Sequence, residues 1–263
     1  MNKDQIKIKH DESDAKRAKI EENVVVYGDD SVFIHDPTET NISIDSIVDS
    51  LKIEQFFKLV DKKLEPNYFL CIKINNDKII EACAKAQKEI LVKNPDLAKA
   101  NVKTDTLHVT LLAFYLRDEE EIQLFNTKLE ENRSLFQVVN NFELTFQGIS
   151  TFRDQVVYVD LIKDDHFKNL ITFQKNLVKV AQLMNIPLFE KKFTPHLTLM
   201  KLSKAKILLK KGIKKINKEL YEHIEDSHFG IEPVLNIHMC SIREKESDSL
   251  FYKTYWKFEL NKI

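Results

Sequence analysis

The sequence is poor in glycine and cysteine, and it has no long apolar run. Four glycines in 263 residues favour a closely packed fold with few strained loops. The three cysteines are odd in number and form no Cys-x-x-Cys pair, which indicates reduced thiols in a reducing compartment. No apolar stretch reaches the length of a membrane span, and residues 1–19 lack the apolar centre of a signal peptide. We therefore expect a soluble protein of the cytoplasm or the nucleus.

Motifs for cofactor and metal chemistry are also missing from the sequence. It contains no P-loop, no Gly-x-Gly-x-x-Gly and no clustered carboxylates suited to magnesium. His238-x-Cys240 has no second ligand pair near it, which argues against a zinc site. We therefore expect no metal and no cofactor. The net charge of −1 argues against a surface that coats a polyanion, so any nucleic-acid ligand should be short.

From residue 63 to residue 263 the sequence alternates strand patterns with helix patterns, which indicates an α+β fold. The predicted strands span 68–74, 107–116, 141–152, 155–162, 193–202, 234–242 and 251–260. The predicted helices span 77–92 with Asp77 as N-cap, 119–136 and 164–184, and a Lys-rich helical stretch covers 201–218. Residues 1–62 are interpreted as an N-terminal extension with a disordered tail to residue 23, a hairpin at 24–34 and a helix from Ile44.

One short pattern occurs twice in predicted strands. His108-Val109-Thr110-Leu111 and His196-Leu197-Thr198-Leu199 both read His–apolar–Thr–apolar. Because side chains alternate between the two faces of a strand, each His shares a face with its Thr. One copy alone is more simply explained as a hydrogen-bonded core histidine. Two copies could supply a base and an acid on opposite sides of one reacting group, which predicts phosphoester chemistry without a metal.

Lysines and aromatic residues near the motifs are candidates for substrate binding. Residues 201–218 contain eight lysines and no acidic residue. This segment is either a solvated helix face or a basic rim that guides phosphates to the site. Aromatic residues in the flanking strands belong either to the core or to a platform that stacks a nucleobase. The substrate-binding candidates are Tyr68, Phe69, Phe152, Arg153, Tyr158, Lys201 and Lys204.

The paired motif resembles the 2H phosphoesterase superfamily, and the closer likeness is to the central domain of the A-kinase anchoring protein 7 type. The segments that carry the likeness are PNYFLCIKI at 66–74, LHVTLLAFYL at 107–116, FQGISTFRDQVVYVDL at 146–161, FTPHLTLMKLSK at 193–204 and HFG at 228–230. The resemblance covers residues 66–263. It implies a bilobal fold of two antiparallel sheets around a central cleft, with helices outside.

The resemblance also implies an activity and a set of residue roles. His108 and His196 correspond to the catalytic pair, and Thr110 and Thr198 correspond to the ligands of the phosphate oxygens. The implied reaction is metal-independent cleavage of a phosphodiester in 2′,5′-linked oligoadenylates or related small nucleotides. The alternatives are a phosphodiesterase for 2′,3′-cyclic nucleotides or RNA ends, and a non-catalytic module that binds AMP-type nucleotides.

Expectations about partners follow from the same likeness. Anchoring proteins of this type end in an amphipathic helix that binds a kinase regulatory subunit. This sequence ends at Lys262-Ile263, directly after a strand pattern, so we expect no kinase anchoring. A monomer with a small nucleotide or short oligonucleotide as its substrate, and no membrane partner, is the remaining expectation.

Overall fold

The structure is a computed structural model that describes residues 24–27, 31–34, 64–136, 142–189 and 192–260. The chain divides into two compact units, Met1–Ser50 and Leu51–Ile263. In the first unit, β1 (Val24–Tyr27) pairs with β2 (Ser31–Ile34) in antiparallel fashion, which confirms the predicted hairpin. The tail, the helix predicted from Ile44 and the domain boundary predicted at residues 62–63 lie outside the described residues.

The second unit combines strands and helices, as predicted. Its strands are β3 (Tyr68–Lys73), β4 (His108–Phe114), β5 (Glu143–Phe152), β6 (Val156–Leu161), β7 (Leu197–Lys201), β8 (His228–Pro233), β9 (Asn236–Lys245) and β10 (Tyr252–Glu259). Its α-helices are α1 (Asp77–Lys93), α2 (Glu119–Glu131), α3 (Asp165–Leu183) and α4 (Lys206–Lys210). The α+β class is therefore confirmed. No helix in the described part of the chain is long and apolar enough to span a membrane.

Polar side chains determine where the three long helices begin. The Asn76 side chain accepts a hydrogen bond from the Lys78 backbone N–H at 3.0 Å, which satisfies an amide that the first helical turn leaves unpaired. Asp118 and Asp164 cap α2 and α3 in the same way. The prediction of Asp77 as the first N-cap was wrong by one residue, because Asp77 already belongs to the helix.

All eight strands of the second unit form one antiparallel sheet with the order β10-β9-β3-β4-β7-β6-β5-β8. Its two four-stranded halves meet at β4 and β7, and the register there contains a single pair, Val109 with Leu197. The two sheets expected from the resemblance are thus the two halves of one sheet. They join at their inner edges through β4 and β7.

The long helices cover one face of this sheet. Ile79 on α1 and Leu177 on α3 belong to one continuous core that also contains Val109 and Leu197, and none of the four is more than 1% exposed. Burial of each such side chain contributes about 1.5–3 kcal/mol to stability. Since alternate residues on a strand face opposite sides, the neighbours of Val109 and Leu197 point to the face that the helices leave open.

The strand β8 at the outer edge of the sheet was not predicted from the sequence. It contains Gly230 and ends at Pro233, and both residue types weaken a strand pattern. Tertiary pairing overrides that local weakness, because β8 pairs with β5 over five positions from Glu143 to Gln147. Gly230 has a φ of +136°, a conformation that residues with a side chain rarely adopt.

We expect Gly230→Ala to destabilise the second unit. An added Cβ would lie 2.8 Å from Ile79 Cγ1 on α1, so backbone strain and a clash with a packed helix would act together. Overpacking of this kind costs about 1–3 kcal/mol, which should lower the melting temperature measured by circular dichroism. Gly212→Ala is the matched control, because its φ is +85° and an added Cβ would meet nothing within 4 Å. Equal losses in both variants would show that the contact with Ile79 contributes nothing.

Candidate active site

The junction between β4 and β7 brings the two His-x-Thr motifs side by side. Val109 and Leu197, which pair across the two strands, each lie between the His and the Thr of their motif. In an antiparallel register, this places His108 beside Thr198 and Thr110 beside His196. All four side chains therefore share the open face of the sheet, at its centre.

Each imidazole is held by the backbone carbonyl two residues before it. The Nδ1 atom of His108 lies 2.7 Å from the Thr106 carbonyl oxygen, and the Nδ1 atom of His196 lies 2.7 Å from the Thr194 carbonyl oxygen. Because a carbonyl oxygen only accepts hydrogen bonds, Nδ1 carries the proton in both rings. In the neutral ring the Nε2 atom then keeps its lone pair, and it is the atom available for proton transfer.

The contact between each Nδ1 atom and the preceding carbonyl has a signal in the sequence, a Thr two residues before the His, which the His-x-Thr motif does not include. Both sites read Thr-x-His-apolar-Thr, from Thr106 to Thr110 and from Thr194 to Thr198. Thr106 is 3% exposed, and its hydroxyl donates to the Lys103 carbonyl at 2.8 Å. That bond stabilises the turn that presents the Thr106 carbonyl to the imidazole. The extended motif was missed because it contributes a backbone atom rather than a reactive side chain.

Burial keeps both imidazoles in their neutral form in the free protein at neutral pH. It lowers the pKa of His108 to about 4, against the opposing effect of the hydrogen bond to the Thr106 carbonyl, and the positive charges of Lys204 and Lys245 lower it further. Burial also lowers the pKa of His196, but the nearby Asp160 carboxylate partly opposes that change. The two rings are therefore not equivalent, and His108 is the one held more strongly in the neutral form.

Aromatic rings surround His108. The ring centroids of Phe69 and Tyr252 lie 5.1 Å and 5.4 Å from that of the imidazole. The predicted candidate Phe69 therefore belongs to the site. Tyr68 does not, because it precedes Phe69 on β3 and its side chain lies on the other face, where its ring centroid is 6.5 Å from that of Phe114.

A different aromatic arrangement surrounds His196. Phe152 and Tyr158 are stacked with their centroids 4.3 Å apart and their planes at 29°, and they lie 4.9 Å and 5.1 Å from the imidazole. Tyr158 is buried and Phe152 is half-buried, so part of the Phe152 ring faces solvent. Arg153 is exposed in the turn that follows Phe152. These three predicted candidates thus lie on the His196 side of the site.

The Lys-rich segment divides into two parts with different surroundings. Its helical part is short, since α4 covers Lys206–Lys210 rather than the predicted 201–218. At the start of the segment, the charge of Lys201 lowers the pKa of His196, and that of Lys204 lowers the pKa of His108. The later lysines form ion pairs, namely Lys211 with Asp96, Lys215 with Asp154 and Lys218 with Glu225. The start of the segment, rather than the whole of it, therefore contributes positive charge to the site.

Two side chains at the site had no signal in the sequence. Tyr252 begins β10 and Lys245 ends β9, and these residues pair across the two strands. Lys245 Nζ lies 3.1 Å from the centroid of the Tyr252 ring, and the same ring contacts His108. Both residues are distant from the motifs in the chain, so no local pattern connects them to the two histidines.

The described residues show no grouping of metal ligands. Among residues 64–136, 142–189 and 192–260, no three His, Cys, Asp or Glu side chains come together as a set that could hold a metal ion.

Cys240 Sγ lies 4.0 Å from Cys71 Sγ, and both are buried free thiols.

A cavity of about 230 Å³ lies beside the start of α1, and neither imidazole lines it. Its buried carboxylate, Glu232, accepts hydrogen bonds from the Asn75 and Asn76 backbone N–H groups at 3.1 Å and 3.0 Å. These bonds hold the start of α1 against β8, which gives Glu232 a structural role.

Residues 66–260 match the family described as the AKAP7 2′5′ RNA ligase-like domain. The chain belongs to this family. It is 34% identical to A-kinase anchor protein 7 isoform gamma of Homo sapiens over 229 residues, which are 85% of this chain and 66% of that protein. The predicted likeness to the A-kinase anchoring protein 7 type is thereby confirmed.

Two solved structures are similar to this chain at lower sequence identity. The crystal structure of TT0787 of Thermus thermophilus gives a TM-score of 0.50 at 19% identity, over 74% of this chain and 97% of that chain. The structure of E. coli LigT complexed with 3′-AMP gives a TM-score of 0.46 at 16% identity, over 75% of this chain and 99% of that chain.

The lowered pKa of His108 predicts how this ring titrates. Followed by NMR, its Cε1–H signal should titrate near pH 4 in the free protein, well below the usual 6.5. Inorganic phosphate should raise this midpoint, because an anion beside the ring stabilises its protonated form. Sodium chloride at matched ionic strength is the control for screening. A midpoint of 6.5 without phosphate would mean that the ring is solvated rather than buried.

Proposed function

We propose that this protein is a phosphodiesterase that cleaves small nucleotides or short oligonucleotides with His108 and His196 as its base and acid. The observation that carries the proposal is the matched pair of imidazoles at the β4–β7 junction. Each has Nδ1 bonded to a backbone carbonyl, which leaves Nε2 free for proton transfer. Two such atoms on one face of a sheet can serve the two ends of one displacement at phosphorus without a metal ion.

The proposed substrates are 2′,5′-linked oligoadenylates. The support for this linkage is the family description, which names a 2′5′ RNA ligase-like domain. A ligase and a phosphodiesterase of one linkage act on the same bond in opposite directions, so a site that forms the bond also fits its cleavage. The stacked rings of Phe152 and Tyr158 are suited to a nucleobase, since aromatic side chains bind bases through their π-faces.

The two histidines take different roles in this proposal. His108, with a pKa of about 4, is the base, because it is the ring held more strongly in the neutral form. Its Nε2 removes the proton from the attacking hydroxyl group or water. His196 is the acid, and its Nε2 donates a proton to the leaving oxygen as the phosphorus–oxygen bond breaks. A bound phosphodiester anion raises the pKa of His196 and so supplies the protonated form that this step needs.

Hydroxyl groups and lysines stabilise the reacting phosphate. The register places Thr110 and Thr198 next to the imidazoles, where their hydroxyl groups donate hydrogen bonds to the non-bridging oxygens. Such donors act most strongly when negative charge builds up in the transition state. The positive charge of Lys204, which is near enough to His108 to lower its pKa, attracts the phosphate groups of the substrate to this side of the site.

We expect His108→Ala and His196→Ala each to lower turnover of a 2′,5′-linked diadenylate by at least about a hundredfold, as is typical for loss of a general acid or base. Thr110→Ala and Thr198→Ala should have smaller effects. Turnover is measured by chromatography of the products, and thermal unfolding shows whether each variant is folded. His223→Gln is the control, because this exposed His contacts Glu89 and Lys93 instead. Near-normal turnover in either His→Ala variant would make that residue structural.

A substrate panel tests the linkage and the metal independence together. We expect 2′,5′-linked diadenylate to be cleaved faster than its 3′,5′-linked isomer and faster than adenosine 2′,3′-cyclic phosphate is opened, with and without EDTA. Chelation should change nothing, because two imidazoles perform both proton transfers. Preference for the cyclic phosphate would instead assign the protein to RNA-end processing. Tight binding of AMP without turnover of any substrate would make it a nucleotide-binding module.

A further inference from the structure

On one side of the candidate site, a cation lies next to an aromatic ring, and that ring lies next to an imidazole. Lys245 Nζ lies 3.1 Å from the Tyr252 ring centroid, and that ring lies 5.4 Å from the His108 ring with their planes at 84°. Lys245 and Tyr252 are also directly paired across β9 and β10. The sheet therefore fixes the position of this ammonium group relative to the catalytic ring.

Further lysines converge on the same place. Burial lowers the pKa of Lys245, and the charges of Lys204 and Lys103 lower it further, so each of these two lysines acts on the Lys245 ammonium group. In the part of the chain that the structure describes, none of the three forms an ion pair with a carboxylate. Lysines that repel one another without a counter-charge are stabilised by an anion that binds between them.

The two sides of the site differ in what they can bind. On the His196 side, Phe152 is half-buried and stacks on Tyr158, so a nucleobase can extend the stack. On the His108 side, the ammonium of Lys245 covers a face of the Tyr252 ring, which leaves that face closed to a base. The His108 side therefore offers a ligand the ammonium group of Lys245, whereas the His196 side offers the exposed face of Phe152.

We propose that Lys245, Lys204 and Lys103 form a subsite for a second phosphate group of the substrate, on the His108 side of the scissile phosphate. The nucleobase of the other nucleotide then stacks on Phe152, on the His196 side. This inference rests on the proposed function and adds a direction to it. The preferred substrate carries at least two phosphates, as does a 2′,5′-linked dinucleotide with a 5′-phosphate, and a mononucleoside cyclic phosphate leaves the subsite empty.

Binding of two ligands that contain no phosphodiester tests the subsite independently of turnover. Adenosine 2′,5′-bisphosphate and adenosine 2′-monophosphate differ by one phosphate, and their affinities are compared by calorimetry at neutral pH. We expect the parent protein to bind the bisphosphate at least about tenfold more tightly, because hydrogen bonds to charged groups are strong. Lys245→Met should lose at least tenfold more affinity for the bisphosphate than for the monophosphate.

Three further variants make the result specific. Lys245→Arg keeps the charge and should restore most of the preference for the bisphosphate. Lys88→Met removes an exposed lysine from α1 and should leave the preference at the parent value. Lys204 follows β7, in the other half of the sheet from Lys245. Lys204→Met should also reduce the preference for the bisphosphate, and it serves as the test if Lys245→Met proves unfolded in a thermal melt.

Equal affinity of the parent protein for the two ligands would overturn the subsite, and so would an equal loss for both ligands in Lys245→Met. If the protein gives either of those binding results but still cleaves the 2′,5′-linked diadenylate, the subsite is rejected and the proposed function is kept. A lysine-dependent preference for the bisphosphate in a protein without turnover would keep the subsite and reject the phosphodiesterase. The two proposals therefore fail separately.

Discussion

The pairing of Val109 with Leu197 is the contact on which the site depends, because it joins the two halves of the sheet. Both side chains are buried under the helices, so the same residues stabilise the core and fix the register. A slip of one residue on either strand would turn that strand's His and Thr into the core and expose its apolar residues. The burial of two apolar residues thus determines that both imidazoles lie on the same open face of the sheet.

Burial also prepares the chemistry of the imidazoles. Each ring has its Nδ1 proton fixed by a backbone carbonyl and its pKa lowered by the surrounding protein. A neutral ring with a fixed tautomer is ready to accept a proton at Nε2, whereas protonation of the second ring requires a nearby negative charge. In the proposed reaction, a bound phosphodiester supplies that charge, so substrate binding and formation of the acid would be coupled.

The predictions that succeeded from sequence alone depend on local periodicity. The bounds of α1 and α3 and most strands followed from spacing of apolar residues, because each element buries one face. β8 was missed, since Gly230 and Pro233 weaken its pattern and its pairing partner lies far away in the chain. The helix predicted over residues 201–218 is confined to Lys206–Lys210, because Gly212, with a φ of +85°, ends it.

By itself, the sequence determined the α+β class and the paired His-x-Thr motifs, and it contains the Thr-x-His extension that became recognisable once the structure showed each carbonyl contact. These features are local, because they depend on strand alternation and on contacts two residues apart. Tertiary structure decided that Phe69 lies at the site and Tyr68 in the core, and it brought Lys245 and Tyr252 to His108. The order of strands in a sheet is set by pairing between distant segments, and no local pattern encodes which side chains that pairing brings together.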